Sequence, residues 1–197
     1  MSAHPESPVS PEATPVRRLG VYDTWWTVGS AAVAACLGLT ACAWISAHLH
    51  VDATLHTAAL FVHLASLVLG FGAVLAADYH ALLWMTGRCS LSDALVGTHR
   101  LHVPIWAGLA GLVASGALLQ PDLDSPVTRV KLALVLALTL NGLQAGLLTR
   151  RLAGRTGRPL TGRPLTGRLV AWGAATALVS QLCWWGAVVI GFRNSQR

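Results

Sequence analysis

Charged residues are scarce in this sequence. Of its 197 residues, only 11% are Asp, Glu, Lys or Arg, whereas 54% are hydrophobic. A soluble domain carries about 25% charged residues. The stretches without charge approach the roughly 20 apolar residues that are needed to cross a bilayer. The composition therefore argues against a soluble domain and predicts an integral membrane protein.

Paired cysteines and the common catalytic motifs are also missing. No CxxC or CxxCH pattern occurs, which argues against a disulfide framework and excludes covalently attached c-type haem. The sequence has no Gly-rich phosphate loop, no GxSxG and no HExxH. We therefore predict no soluble enzyme type, and we interpret the four cysteines as small packing residues. They are Cys36, Cys42, Cys89 and Cys183.

Lysine is nearly absent, since Lys131 is the only one and the formal net charge of +6 comes mostly from arginine. A basic chain can indicate nucleic-acid binding. Here the arginines lie in short segments beside apolar runs, which is typical of residues that orient a protein in a membrane. The predicted partner is therefore a lipid bilayer and not a nucleic acid.

Long apolar runs, in contrast, are abundant, and five of them are long enough to form transmembrane helices. They cover about residues 25–47, 55–85, 103–119, 127–148 and 169–192. Residues 1–22 are rich in Pro, Ser, Glu and Thr and predict a disordered cytoplasmic tail. The Arg, Gly and Pro of residues 150–168 predict a flexible cytoplasmic loop. The predicted fold class is all-α, an integral membrane helical bundle over residues 23–192.

The arginines also predict how the bundle is oriented. With five spans, most arginines fall on one side, and short cytoplasmic loops are the positive ones. This places the N-terminus in the cytoplasm and the C-terminus outside, in a bacterial-type inner membrane. The arginines on the predicted cytoplasmic side are Arg17, Arg18, Arg88, Arg100, Arg150, Arg151, Arg155, Arg158, Arg163 and Arg168.

Small and amide side chains within the spans predict how the helices pack. A small residue recurs at every fourth position of the first span, which predicts a stripe of small residues along one helix face that lets a neighbouring helix approach closely. These residues are Ser30, Ala34, Gly38, Cys42 and Ser46. In the fourth span, Asn141 and Gln144 require partners. We interpret them as interhelical hydrogen bonds, with a polar lining for a substrate path as the alternative.

A histidine cluster lies in the predicted outer loop between the first two spans. It comprises His48, His50, Asp52 and His56, in the segment HLHVDATLH. Imidazole suits copper, zinc, iron and nickel, and a carboxylate can complete such a site. The cluster therefore predicts a metal site, and the alternative is a set of interfacial histidines that bind nothing.

His63 lies inside the second span, and an ionisable residue at that depth is a functional hypothesis by default. It follows His56 by two helical turns, so both lie on nearly one face. Gly70 and Gly72 would let a flat cofactor or another helix come close. The alternative is a neutral imidazole that is hydrogen-bonded to a neighbouring helix.

A second ionisable group is predicted at the inner ends of spans two and three. Asp78 and His80 end the apolar part of one span, while His99 and His102 begin the next. We interpret Asp78 as an ion-pair partner of an arginine, either Arg88 or Arg100. The alternative assigns His80, His99 and His102 to a metal route or a cofactor site.

The histidines at two depths also permit b-type haem, which two histidines from different helices hold at one depth. His63 with His48 or His50 would form an outer site, and His80 with His102 an inner one. The cofactor candidates are therefore a copper ion, through the metal ligands, or haem b, through His63, His80 and His102.

Spans three and four contain three short sequence motifs. Ser115-Gly116 lies near the end of one span, Lys131-Leu132 opens the next, and Asn141 follows. With these motifs, residues 102–152 resemble the membrane domain of the bacterial copper-resistance D family. The resemblance implies a helical bundle that takes part in copper transport or in electron transfer.

Three functional hypotheses follow. The first is transport or metal handling, in which the outer cluster collects a cation and His63 and the inner histidines continue the route. The second is an electron carrier with bis-histidine haem b. The third is a structural subunit that packs against a second copy or a membrane complex through the small residues of the first span.

Overall fold

The computed structural model describes residues 25–156 and 167–194, and nothing is said below of the structure of the others. Within these two ranges the chain forms five α-helices and no β-strand. The all-α prediction is therefore confirmed. The helices are α1 (Trp25–His48), α2 (Ala53–Met85), α3 (Leu91–Leu118), α4 (Pro126–Thr156) and α5 (Gly167–Asn194).

All five helices contain segments that are long and apolar enough to cross a bilayer. Many large apolar side chains remain exposed on the outside of the bundle, including Leu37, Val68 and Leu182, each more than 60% exposed. In water this surface would drive aggregation, whereas lipid chains solvate it. The chain is a multi-pass membrane protein whose outer surface contacts the bilayer.

Helix α3 begins at Leu91, twelve residues before the start predicted from the apolar run at position 103. Ser90 caps it, because the Ser90 hydroxyl oxygen accepts a hydrogen bond from the Asp93 backbone N–H at 3.1 Å. The first three turns are too polar to be detected as a membrane span. The hydropathy of the sequence therefore predicted only the apolar part of α3.

Helix α4 also extends past its apolar run, to Thr156. Residues 150–156 are therefore helical, and the prediction of a flexible loop over 150–168 needs correction for that part. Arg, Leu and Ala favour helix there, and the closely spaced Gly and Pro residues come later. The remaining loop residues 157–166 and the predicted tail 1–22 lie outside the described residues.

Helices α2 and α3 pack more closely than any other pair in the described chain. At their crossing, a Cβ atom on Gly108 would collide with the backbone of Gly70. A Cβ on Gly111 would collide with the Ser66 side chain, and one on Gly97 with the His80 ring. Glycine on α3 therefore sets the separation of this antiparallel pair.

The apolar core lies where α2, α3, α4 and α5 meet. Val74, Leu109, Leu138, Cys183 and Trp184 form it. Trp184 is only 2% exposed, and its ring stacks on Phe71 of α2 with ring centroids 5.4 Å apart. The α5 contact with α2 is thus made by large side chains rather than by close backbones.

Helix α1 packs on α3 and α4 and buries little of its own surface. Its small residues were predicted to form one continuous face, yet Ser30 and Gly38 are exposed whereas Ser46 is buried. A four-residue period advances roughly 40° per step on an α-helix, so the row of small residues winds around it. A Cβ on Gly38 would meet nothing within 4 Å in the described chain.

Candidate functional site

His63 of α2 lies against the last turns of α3, at the end of the bundle where α3 finishes. Its Nδ1 atom is 3.0 Å from the Ser115 hydroxyl oxygen, and Ser115 is only 3% exposed. The Ser115 hydroxyl donates its single proton to the Gly111 carbonyl. The Ser115 oxygen then accepts from the Nδ1–H of His63, and this bond joins α2 to α3.

The next residue, Gly116, makes room for this ring. A Cβ at Gly116 would lie 3.4 Å from the His63 Cε1 atom, so a larger side chain would press on the imidazole. Lys131 of α4 is close enough to act electrostatically on the same ring. Its ammonium nitrogen reaches α5, where it lies 3.8 Å from the position of a Cβ on Gly191. His63 thus lies between α2 and α3 within the electrostatic reach of Lys131, and Lys131 in turn links α4 to α5.

Asp78 lies about four turns further along α2 than His63, toward the end of the helix, and faces α5. The Gln181 side-chain amide donates a hydrogen bond of 2.6 Å to the Asp78 carboxylate. Both side chains are half-buried. This finding differs from the predicted ion pair with Arg88 or Arg100, since the observed partner is neutral and lies on another helix. The pair bridges two helices whose backbones are not closely packed.

Of the two amides of α4, Asn141 bonds to another helix and Gln144 bonds to Asn141. Asn141 is 5% exposed, and its Nδ2 donates to the Thr176 carbonyl of α5 at 2.9 Å. Gln144 donates to the Asn141 side-chain oxygen at 2.8 Å. The interhelical interpretation is therefore confirmed for Asn141, whose bond ties α4 to α5, whereas Gln144 bonds within α4 and supports the Asn141 amide.

Two buried polar atoms on α5 have no hydrogen-bond partner among the described residues. They are the Trp184 Nε1 atom and the Thr176 hydroxyl oxygen. Along α5 they bracket Gln181, three residues from one and five residues from the other, which is about 5 Å and 8 Å at 1.5 Å per residue. Buried polar atoms are usually satisfied, by internal water where protein groups are lacking. The Asp78–Gln181 pair therefore has unsatisfied polar groups on both sides along the helix.

The outer cluster is exposed at the junction of α1 and α2. The His48 Nδ1 bonds to the Trp44 carbonyl at 2.8 Å, and the two rings stack. Asp52 caps α2 by accepting from the Leu55 backbone N–H at 2.7 Å. His50 and His56 are exposed. Among the described residues, no group of three or more His, Cys, Asp or Glu side chains is placed to hold a metal ion.

The predicted inner histidines are His80 of α2 and His99 and His102 of α3, and their rings lie on different sides of α3. The His80 Nδ1 bonds to its own helix at the Ala76 carbonyl, 2.7 Å away, and its ring covers Gly97 of α3. His102 is five residues beyond Gly97, roughly 140° further around α3, and faces α1 and α4. His99 is exposed, with its ring 6.1 Å from the His102 ring on the same helix. The structure thus does not place His80 and His102 face to face, as an axial haem pair requires.

Of the two alternatives predicted for the glycines of α2, a flat cofactor or another helix, the structure shows the helix at Gly70. The space beside Gly70 is occupied by Gly108 of α3 and by the Trp184 ring, so a helix and not a cofactor lies against this glycine. A Cβ at Gly72 would meet nothing within 4 Å.

Sequence analysis missed Gln181, Thr176 and Trp184 as members of a site. Gln181 is the single amide inside the apolar part of α5, and a lone amide in a membrane span does signal a buried partner. The sequence offered no way to choose Asp78 as that partner, because the two residues are 103 positions apart.

Comparisons with protein-family models, with curated proteins and with solved structures find no match to this chain.

Proposed function

We propose that this multi-pass membrane protein is a transport protein of a bacterial inner membrane, that it carries protons, and that Asp78 takes up and releases the transported proton. The observation that carries the proposal is the hydrogen bond between Asp78 and Gln181, which lies within the candidate membrane spans of α2 and α5. A carboxyl group at such a position is costly to bury and marks a functional site by default.

The nature of the partner favours proton exchange. An arginine would hold Asp78 in its ionised form, since the ion pair would be lost on protonation. The Gln181 amide donates to a carboxyl oxygen in either protonation state, because a protonated carboxyl keeps acceptor capacity. The pair can therefore remain in place while a proton enters and leaves.

The surroundings of the pair support a hydrated route. Trp184 and Thr176 each direct an unsatisfied polar atom into the packed region along α5. Internal water bonded to the Trp184 Nε1 atom, which is one turn from Gln181 on nearly the same face, would extend the path from Asp78. His63 lies on the same helix, 15 residues from Asp78 and thus about 22 Å away at 1.5 Å per residue. That separation requires intervening water, and the His63 imidazole provides a relay group toward the other end.

A metal cation is less well supported as cargo. The described residues provide no cluster of three metal-binding side chains, and His63 bonds to a hydroxyl group. Copper handling, which the resemblance to the copper-resistance D family implies, stays a prediction. The Ser115-Gly116 motif that carries the resemblance lies against His63. A substitution of His63 therefore tests both proton transport and copper handling.

The experiment is proton flux into liposomes that contain the purified protein and a trapped pH-sensitive dye. A potassium diffusion potential set with valinomycin drives the flux. We expect flux above that of empty liposomes, and loss of at least 90% of it in Asp78→Asn, which keeps the shape and an acceptor for Gln181. Asp93→Asn, at the exposed start of α3, is the matched control and should retain wild-type flux.

Two outcomes would contradict the proposal. One is a wild-type flux no greater than that of empty liposomes. The other is equal flux in wild type and Asp78→Asn, which would place any proton path elsewhere. Parallel liposomes with a trapped copper-sensitive dye test the other cargo, and copper entry without proton flux would favour metal transport instead.

A further inference from the structure

A groove of about 430 Å³ lies between α1, α3 and α4, on the other side of α3 from α2. Ala31 of α1 lines one side, His102 and Trp106 of α3 line another, and Gly142 and Gly146 of α4 line the third. These residues belong to the end of the bundle where α1 and α3 begin. The groove has the volume of a small-molecule site and shares no residue with the Asp78 or His63 sites.

The two glycines give the groove a flat floor. They are four residues apart, so they stand one turn above each other on the same face of α4. A Cβ on Gly142 would lie 3.3 Å from the Trp106 ring, which covers that glycine. A Cβ on Gly146 would meet nothing within 4 Å. The open space is therefore above Gly146, beside the edge of the Trp106 ring.

Two polar side chains line the groove, Thr27 of α1 and His102 of α3, and His102 is the one that can accept through a ring nitrogen. Its Nδ1 atom is oriented toward the Thr98 carbonyl of its own helix, at 3.5 Å. A neutral imidazole that donates from Nδ1 has an acceptor lone pair on Nε2. A ligand that offers a hydroxyl hydrogen would satisfy this lone pair.

The uncharged lining restricts the class of ligand that the groove can bind. No Lys, Arg, Asp or Glu is among the described residues that line the groove. A phospholipid head group carries a phosphate and would need a cationic partner. An uncharged aromatic ring bearing hydroxyl groups needs only an apolar slot, an aromatic neighbour and one acceptor.

We propose that this groove binds the head group of a membrane-dissolved isoprenoid quinol, with a ring hydroxyl donating to His102 Nε2 and the ring lying over Gly146 beside Trp106. The apolar side chain would leave between α1 and α4 into the lipid. The reduced form binds more tightly than the quinone, because the quinone has carbonyl acceptors where the imidazole needs a donor.

The test is equilibrium binding of a decyl-substituted benzoquinol and of its quinone to the protein in nanodiscs of synthetic lipid, with empty nanodiscs as background. Wild type should bind the quinol saturably and more tightly than the quinone. Gly146→Leu should weaken quinol binding at least tenfold, because the leucine fills the slot. Gly38→Leu is the matched control, since Gly38 is exposed on α1 and outside the groove.

Two further variants separate binding from folding. Ala31→Leu fills the groove from α1 and should also weaken quinol binding, in a protein that elutes as a single gel-filtration peak. His102→Ala should weaken quinol binding about 2- to 10-fold, the range of one neutral hydrogen bond, and should remove the preference for quinol over quinone.

Three results would overturn this assignment. They are the absence of saturable quinol binding in wild type, equal quinol affinity in well-folded Gly146→Leu, and a phospholipid that copurifies with wild type but not with Gly146→Leu. The last result would identify the groove as a phospholipid site.

Discussion

Helix α2 makes two interfaces of opposite character. Toward α3 it packs through glycine, with the backbones of Gly70 and Gly108 in direct contact. Toward α5 it packs through large or polar side chains, with Trp184 on Phe71 and Gln181 on Asp78. Backbone packing leaves no room for water or movement. A side-chain interface can change by rotamer and can admit water, so the ionisable group lies where a proton path is physically feasible.

The same contrast explains the two ionisable residues of α2. His63 is on the α3 side, where Ser115 fixes the ring and its tautomer. Asp78 is on the α5 side, where its partner is the flexible end of a glutamine. We therefore assign a positioned relay role to the first and the exchange of the proton to the second. The following predictions test the difference between the two interfaces.

The largest expected effect is at the α2–α5 interface. Trp184→Ala removes the most buried large side chain of the described chain and should lower the free energy of unfolding by about 3–5 kcal/mol, as deletion of a buried aromatic does. The measurement is thermal or denaturant unfolding in detergent. Trp185→Ala removes a neighbouring side chain that is 53% exposed and should change stability far less. Equal losses in the two variants would mean that α5 is not anchored through Trp184.

The next effect is at the α2–α3 interface. Gly108→Leu introduces a side chain against the Gly70 backbone and should lower the free energy of unfolding by about 1–3 kcal/mol or prevent folding. Expression yield and unfolding midpoint are the measurements. Gly72→Leu, on α2 in open space, should express normally and unfold near the wild-type midpoint. A stable, normally expressed Gly108→Leu would show that the helices can separate, which would remove the contrast between the two interfaces.

A smaller effect is expected at His63. Ser115→Ala removes the acceptor of the His63 Nδ1–H and should cost about 1 kcal/mol of stability. Proton flux should fall by less than in Asp78→Asn, since the imidazole remains but is no longer oriented. Ser30→Ala on the exposed face of α1 is the control. If proton flux in Ser115→Ala is as low as in Asp78→Asn, the orientation of His63 is as important for proton transport as the Asp78 carboxyl group.

The smallest effect on the single chain is expected at α1. Gly38→Leu should leave the unfolding midpoint of the monomer within about 0.5 kcal/mol of wild type, the usual range for surface positions. Crosslinking in native membranes then tests the predicted second copy or membrane complex. Loss of a crosslinked species in Gly38→Leu alone would identify the exposed small residues as an intermolecular contact. A monomer with no such species would count against the structural-subunit hypothesis.

Much of the fold could be predicted from the sequence, because the backbone of a segment that crosses lipid must satisfy its own hydrogen bonds. Apolar runs of sufficient length must be helices there, and five were found where five helices occur. The errors came at the polar helix ends, where Ser90 starts α3 and residues 150–156 continue α4. Local capping and helix propensity decide those ends, and hydropathy does not register either.

The site was less predictable than the fold. His63 and Asp78 were identified because ionisable residues stand out in an apolar run. Their partners, Ser115 and Gln181, are common polar residues on other helices, and a single sequence carries no information on which helices adjoin. The row of small residues on α1 shows the reverse error. A regular spacing at four residues suggested one face, although helical geometry distributes such residues around the axis.

The distance in sequence between Asp78 and Gln181 has a consequence for biosynthesis. The two residues are 103 positions apart, and Gln181 belongs to the last helix. At 5–20 residues per second, about 5–20 s pass between their synthesis. During that time α2 and α3 can already form their hairpin, while the carboxyl group of Asp78 has no amide to bond. We expect the nascent chain to hold Asp78 at the lipid surface or against the insertion machinery until α5 emerges.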